Sequence, residues 1–145
     1  MWRKLFRWEQ GRQQSGYDKM LLAGARWPLK FDLYLLKFPT GSEIPPHTDP
    51  VTESRHYRLN IVLKNAIEGG EFICKDPIFE TRRLKLFRPD VSEHQVTKII
   101  KGQRLLLSLG WLRTKPNYSP PDVSDTCTKT TLKKSAEADF FQMAN

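Results

Sequence analysis

Three histidines stand in this chain of 145 residues, and one of them, His47, lies two positions before Asp49 in PPHTDP (45–50). On an extended segment, residues i and i+2 project to the same side, so an imidazole and a carboxylate can point into one cavity. Pro45 and Pro46 suppress helix here and stiffen the approach. Alone, a His-x-Asp pair reads as well as a turn or a surface hydrogen bond. A third ligand changes that, and His94, 47 residues further on in RPDVSEHQVTKI, can supply it from a facing strand. Two imidazoles and one carboxylate on one face of an ion leave coordination positions open. That arrangement suits non-haem Fe(II), which must bind a co-substrate and O2 together. Ten residues after His94, Arg104 opens the otherwise apolar RLLLSLGW (104–111). A guanidinium there is costly unless it meets an anion, and its planar fork matches a carboxylate with two parallel hydrogen bonds. Ser108, on the same strand face, can add a hydroxyl. Leu105, Leu107, Leu109 and Trp111 take the other face.

These residues need strands to hold them, and the pattern supplies strands. FDLYLLKF (31–38), YRLNIVLK (57–64), EFICK (71–75), LKLF (84–87), HQVTKII (94–100) and RLLLSLGW (104–111) are short runs bounded by Gly, Pro, Asn and Asp. Many short strands at near-regular spacing predict a sandwich or barrel. The gaps are too short for the helical crossovers of a parallel sheet. Three segments follow. Residues 1–29 place Trp2, Leu5, Phe6 and Trp8, then Tyr17, Met20 and Leu21, at helical spacing, with Gly11 and Gly16 between, and predict short helices packed on a sheet. Residues 30–114 form the β core. Residues 115–145 are polar and predict a loosely held tail, with LKKSAEADFFQMA able to form a short helix.

With its parts in order, the chain resembles a known family. PPHTDP, then YRLNIVLKNAIEGGEF with its Gly69-Gly70 turn, then LFRPDVSEHQVTKIIKGQRLLLSLGW look like the Fe(II)/2-oxoglutarate-dependent dioxygenases, most like their prolyl-4-hydroxylase-like branch. The resemblance covers residues 31–112. It implies a mainly β double-stranded β-helix, a cupin-like jelly roll, with iron held by His47, Asp49 and His94. It implies that Arg104 holds the far carboxylate of 2-oxoglutarate. It also implies an enzyme that couples oxidative decarboxylation of 2-oxoglutarate by O2 to hydroxylation of a protein or peptide side chain. The branch often carries a tyrosine before the His-x-Asp loop, and this chain has Phe38 there. Tyr34, on the same strand face, or Asn60, from a neighbouring strand, can replace that contact. Leu106 stands where the plant-type branch has the serine of Arg-x-Ser. Gly110 stands where the nucleic-acid demethylase branch carries a second arginine.

The other polar residues carry less. Alternation puts Arg58, Asn60 and Val62 on one face, so Arg58 either binds substrate near the mouth or is solvated. His56 has no assigned role and is read as a surface residue. Arg82, Arg83, Lys85 and Arg88 would flank the entrance, though a charge run is usually a solvated face. Trp111 and Cys74 are read as core. The net charge of +8 admits nucleic acid or an acidic protein as partner, and equally a basic protein with neither. It motivates a rival reading as a nucleobase-directed dioxygenase. Further rivals are a non-enzymatic binding module on the same fold and a zinc hydrolase, which lacks a nearby general-base glutamate. No apolar run approaches 18 residues, which argues against a membrane helix. The basic start has no signal-peptide core, and two cysteines without metal spacing fit a reduced, cytoplasmic setting.

Overall fold

A computed structural model describes residues 5–11 and 15–114. Twelve strands run through them: β1 (Trp8–Gln10), β2 (Asp18–Ala25), β3 (Phe31–Phe38), β4 (Ile44–His47), β5 (Ser54–Lys64), β6 (Glu68–Gly69), β7 (Phe72–Cys74), β8 (Phe79–Glu80), β9 (Leu84–Phe87), β10 (His94–Val96), β11 (Ile99–Lys101) and β12 (Arg104–Thr114). Neighbours pair antiparallel in three sheets: seven strands in the order β1-β2-β3-β12-β5-β9-β8, three in the order β4-β10-β7, and the pair β11-β6. The expected strand runs all lie on these elements. HQVTKII divides into β10 and β11, and the loop after β7 holds the short β8.

The core joins the sheets. Phe38 of β3 and Leu106 of β12 pack with Val96 of β10, Ile99 of β11 and Tyr17. Tyr17 stacks on Phe38 with ring centroids 4.9 Å apart. Ile44 of β4 and Phe72 of β7 close onto the same cluster. Alternation along β12 is strict from Arg104 to Gly110: Arg104, Leu106, Ser108 and Gly110 are buried, and Leu105, Leu107 and Leu109 are half-buried on the opposite face. Inward residues therefore stack in rungs across the large sheet. Asp32, Gly110 and Arg58 share one rung, Tyr34, Ser108 and Asn60 the next, Leu36, Leu106 and Val62 the third, and Phe38 faces Arg104 on the fourth. The two glycines expected to turn the chain do so with φ of 74° at Gly69 and 72° at Gly70, a region open to glycine and strained for other residues.

Among the described residues the expected N-terminal helices do not form. Residues 18–25 are β2, paired along its length with β3, and residues 8–10 are β1 on its far edge. The seven-stranded sheet thus runs through the expected boundary at residue 29. Helical spacing of Tyr17, Met20 and Leu21 lost to the edge of β3, which pairs with the segment from Asp18 to Ala25. Gly16, with φ of 67°, is the interruption the sequence suggested. Trp2, Cys127 and the 115–145 tail, with the short helix expected there, lie outside the described residues.

Candidate metal centre

The three-stranded sheet brings the two distant histidines face to face. His47 ends β4, His94 opens β10, and the two are direct register partners. Their rings lie 4.3 Å apart. Asp49 follows β4 by two residues, and its backbone N–H donates to the Pro89 carbonyl at 2.7 Å, which fixes the loop against the segment leading to His94. The carboxylate sits between the imidazoles: Oδ1 is 3.8 Å from His47 Nε2 and Oδ2 is 4.0 Å from His94 Nε2. One donor atom from each residue lies within 4.8 Å of the others.

Both imidazoles are oriented from behind. His47 Nδ1 is 2.9 Å from the Pro45 carbonyl and His94 Nδ1 is 3.1 Å from the Ser92 carbonyl. A carbonyl only accepts, so each Nδ1 carries the proton and each Nε2 turns its lone pair toward Asp49. Burial holds His94 down at about 4, against the opposing pull of the Ser92 carbonyl. It is therefore neutral near pH 7, the form a metal requires. Two imidazole nitrogens and a carboxylate oxygen suit a divalent first-row cation, and three ligands on one side leave the opposite positions for exchangeable groups. The residues fit such an ion.

A cavity of about 90 Å³ adjoins the triad. Across it from the metal ligands stand Arg58, Asn60 and Ser108 of the large sheet. Their side chains form a chain: Arg58 Nη1 donates to Ser108 Oγ at 2.9 Å, and Ser108 Oγ donates to Asn60 Oδ1 at 2.8 Å. Arg58 Nη2 reaches back over β12 to Asp32 Oδ1 at 3.3 Å. Burial pushes the Asp32 carboxyl up, and the Arg58 guanidinium opposes it. Phe72 and Phe87 pack against each other and beside His94, with ring centroids 6.2 Å and 5.0 Å from the imidazole. They give that side an apolar wall.

Of the residues expected at the site, His47, Asp49, His94, Asn60, Ser108 and Arg58 line this one cavity. Tyr34 and Arg104 do not. Tyr34 is buried beside Ser108 on the sheet, and burial with the nearby Asp32 pushes its phenol up to about 12. Arg104 is 3% exposed and donates through Nη1 to the Gly70 carbonyl at 2.5 Å, while its Nε has no hydrogen-bond partner among the described residues.

His56 is the clear correction. It is wholly buried rather than on the surface, one rung from Arg58 on the same inward face, and burial lowers it to about 3. The alternation that placed Arg58 and Asn60 inward applies equally to His56. Asp32 was missed for a different reason: nothing marks a strand aspartate as inward until its partner is known. The basic run contributes no cavity wall. Lys85 pairs with Glu80, Arg88 with Asp90, and Arg82 and Arg83 are exposed. Trp111 is half-buried and stacks on Tyr57, and Cys74 is half-buried against Ser92.

Solved structures share this architecture. The cupin domain of Schizosaccharomyces pombe Cnp3 superposes with a TM-score of 0.51 at 15% identity, over 74% of this chain and 69% of that one. A Pseudomonas putida prolyl-4-hydroxylase gives the same score and identity over 68% and 72%. The fold is a cupin-like jelly roll. Against Rhodobacter sphaeroides SigE in complex with the anti-sigma ChrR, with a TM-score of 0.46 and 17% identity, the matched region is 72% of this chain and 48% of that one. No family model matches the chain, and no curated protein matches it in sequence. Jelly rolls of this kind include enzymes and binding domains, so the shared fold leaves activity to the site itself.

Proposed function

We propose that this chain is an Fe(II)- and 2-oxoglutarate-dependent dioxygenase that hydroxylates a protein or peptide side chain. The observation that carries the reading is the triad: His47, Asp49 and His94 on one wall, both Nε2 lone pairs turned inward, beside a cavity with a guanidinium on the opposite wall. Bound there, iron with 2-oxoglutarate would supply the oxidising chemistry, in which 2-oxoglutarate, O2 and R–H become succinate, CO2 and R–OH. The two oxygen atoms divide between succinate and product.

The chain's own part is positioning. The Pro45 and Ser92 carbonyls hold the imidazole rings in the ligating tautomer. Phe72 and Phe87 screen His94 from water, which strengthens every polar contact inside. Asn60, whose Oδ1 takes the Ser108 proton, keeps its amide N–H groups for a small acid in the cavity. Peptide or protein as the class of substrate rests on the sequence resemblance.

Turnover of 2-oxoglutarate without added substrate tests the reading. Succinate release should require Fe(II) and O2 and fall to background in Asp49→Ala. Iron-loaded wild-type protein that yields no succinate, with or without a library of peptides, would remove the dioxygenase reading and leave a metal-binding module.

A further inference from the structure

Two guanidiniums stand inside the barrel, and their surroundings differ. Arg104 lies three rungs from Gly110, about 20 Å along the strand, beyond the apolar rung of Leu36, Leu106 and Val62. Its Nη1 is committed to the Gly70 carbonyl. Arg58 instead shares the cavity with all three metal ligands.

Arg58 is also held in a built cradle. Asp32 and Arg58 lie on the strands flanking β12, and the residue between them on the rung is Gly110. A Cβ on Gly110 would come within 2.7 Å of Arg58 Nη2 and 2.9 Å of Asp32 Oδ1. The bare glycine therefore opens the passage through which the ion pair crosses the strand. Ser108 fixes the other arm of the fork from the next rung. A guanidinium carries five N–H donors. The bonds to Ser108 and Asp32 use two, and a third contact, to His56 Nε2, is long at 3.5 Å. Asp32 orients the fork without exhausting it.

We infer that Arg58, seated across Gly110 by Asp32 and Ser108, is the anion-holding group of the metal cavity and takes the free carboxylate of the small 2-oxo acid whose other end the metal chelates. This rests on the dioxygenase reading for the acid, and it moves the anchor from Arg104 on β12 to Arg58 on β5. Gly110, in this assignment, is a positioning residue.

The test is calorimetric titration, under exclusion of oxygen, of Mn(II)-loaded protein with 2-oxoglutarate and, separately, with succinate. Arg58→Met should weaken 2-oxoglutarate by at least about tenfold, the loss of a charge-assisted carboxylate contact. Gly110→Ala, which keeps the charge and displaces the fork, should weaken it several-fold. Arg104→Met should stay within about threefold of wild type, and Mn(II) affinity should hold in all three, because none is a metal ligand. Should Arg58→Met not fold, Gly110→Ala and Arg58→Lys carry the comparison. Binding that survives in Arg58→Met and Gly110→Ala but is lost in Arg104→Met overturns the assignment and leaves the dioxygenase reading standing. Succinate bound through Arg58 without any chelation of 2-oxoglutarate keeps the anion site and removes the dioxygenase reading. Neither acid binding to wild type removes both.

Discussion

Asp49 is the hinge of the site at the scale of single residues, because it lies between the two imidazoles and is within 4.0 Å of each. Removing a carboxylate that carries charge to the metal costs more than removing a group behind a ligand, which typically costs about 10–100-fold. Asp49→Ala and His94→Ala should therefore lower Fe(II) or Co(II) affinity by about 100-fold or more, read by competition with a chromophoric chelator. An affinity within a few-fold of wild type would displace the metal from this triad. His56 sets a second expectation. Its folded value is about 3 against 6.5 in the free side chain. Between those limits the unfolded chain binds more protons, so stability is complete above pH 6.5 and is lost as pH falls toward 3. The slope is up to about 1.4 kcal/mol per pH unit for one such group. His94, held at about 4, adds to the same slope. Denaturation in urea between pH 4 and 7 should show it, and His56→Gln should flatten it; an unchanged slope would mean His56 is not buried neutral. The triad was legible because a period of two and a third histidine on a strand are both visible in one dimension. The surroundings of Arg104 were not legible, because alternation gives the face of a strand and not the neighbouring carbonyl that meets the side chain.

Among the elements, β3 and β12 carry the most structure. Phe38 and Leu106, each no more than 2% exposed, join the large sheet to β10 and β11. Phe38→Ala should cost about 3–5 kcal/mol and Leu106→Ala about 2–5 kcal/mol, measured by chemical denaturation of the apo protein. Losses below about 1 kcal/mol would show that the sheets do not share this core. The strands were readable from apolar runs cut by turn residues, and β3 and β9 begin and end where those runs do. β2 was not readable. DKMLLAGA has neither clean alternation nor a β-branched residue, and its conformation is decided by the edge of β3. Amides of residues 19–24 should be protected from hydrogen exchange together with those of β3. Protection of β3 alone, with fast exchange in β2, would contradict the seven-stranded sheet.

At the scale of the whole molecule, the jelly roll sets a polar inner ladder on the large sheet against a small sheet that carries the metal ligands. The outer face of the large sheet is lined by half-buried Leu33, Leu35, Leu59, Ile61, Leu105, Leu107 and Leu109. Because ligand binding to the folded state alone raises stability, a metal at 100 times its Kd should add about 2.7 kcal/mol. Among the described residues there is no helix, and so none long and apolar enough to cross a membrane. The net charge of +8 was visible from composition but not where the cations stand: Lys37–Asp18, Lys75–Glu93 and Arg88–Asp90 are local pairs, and among the described residues Arg58 is the cation that lines the cavity. The most direct measurement is an anaerobic visible spectrum of the apo protein after addition of Fe(II) and then 2-oxoglutarate, beside His94→Ala. A weak charge-transfer band in wild type, absent in the variant, is the expected result, because it requires iron at the triad and a 2-oxo acid chelating it. Iron bound without that band would contradict a 2-oxoglutarate-dependent site.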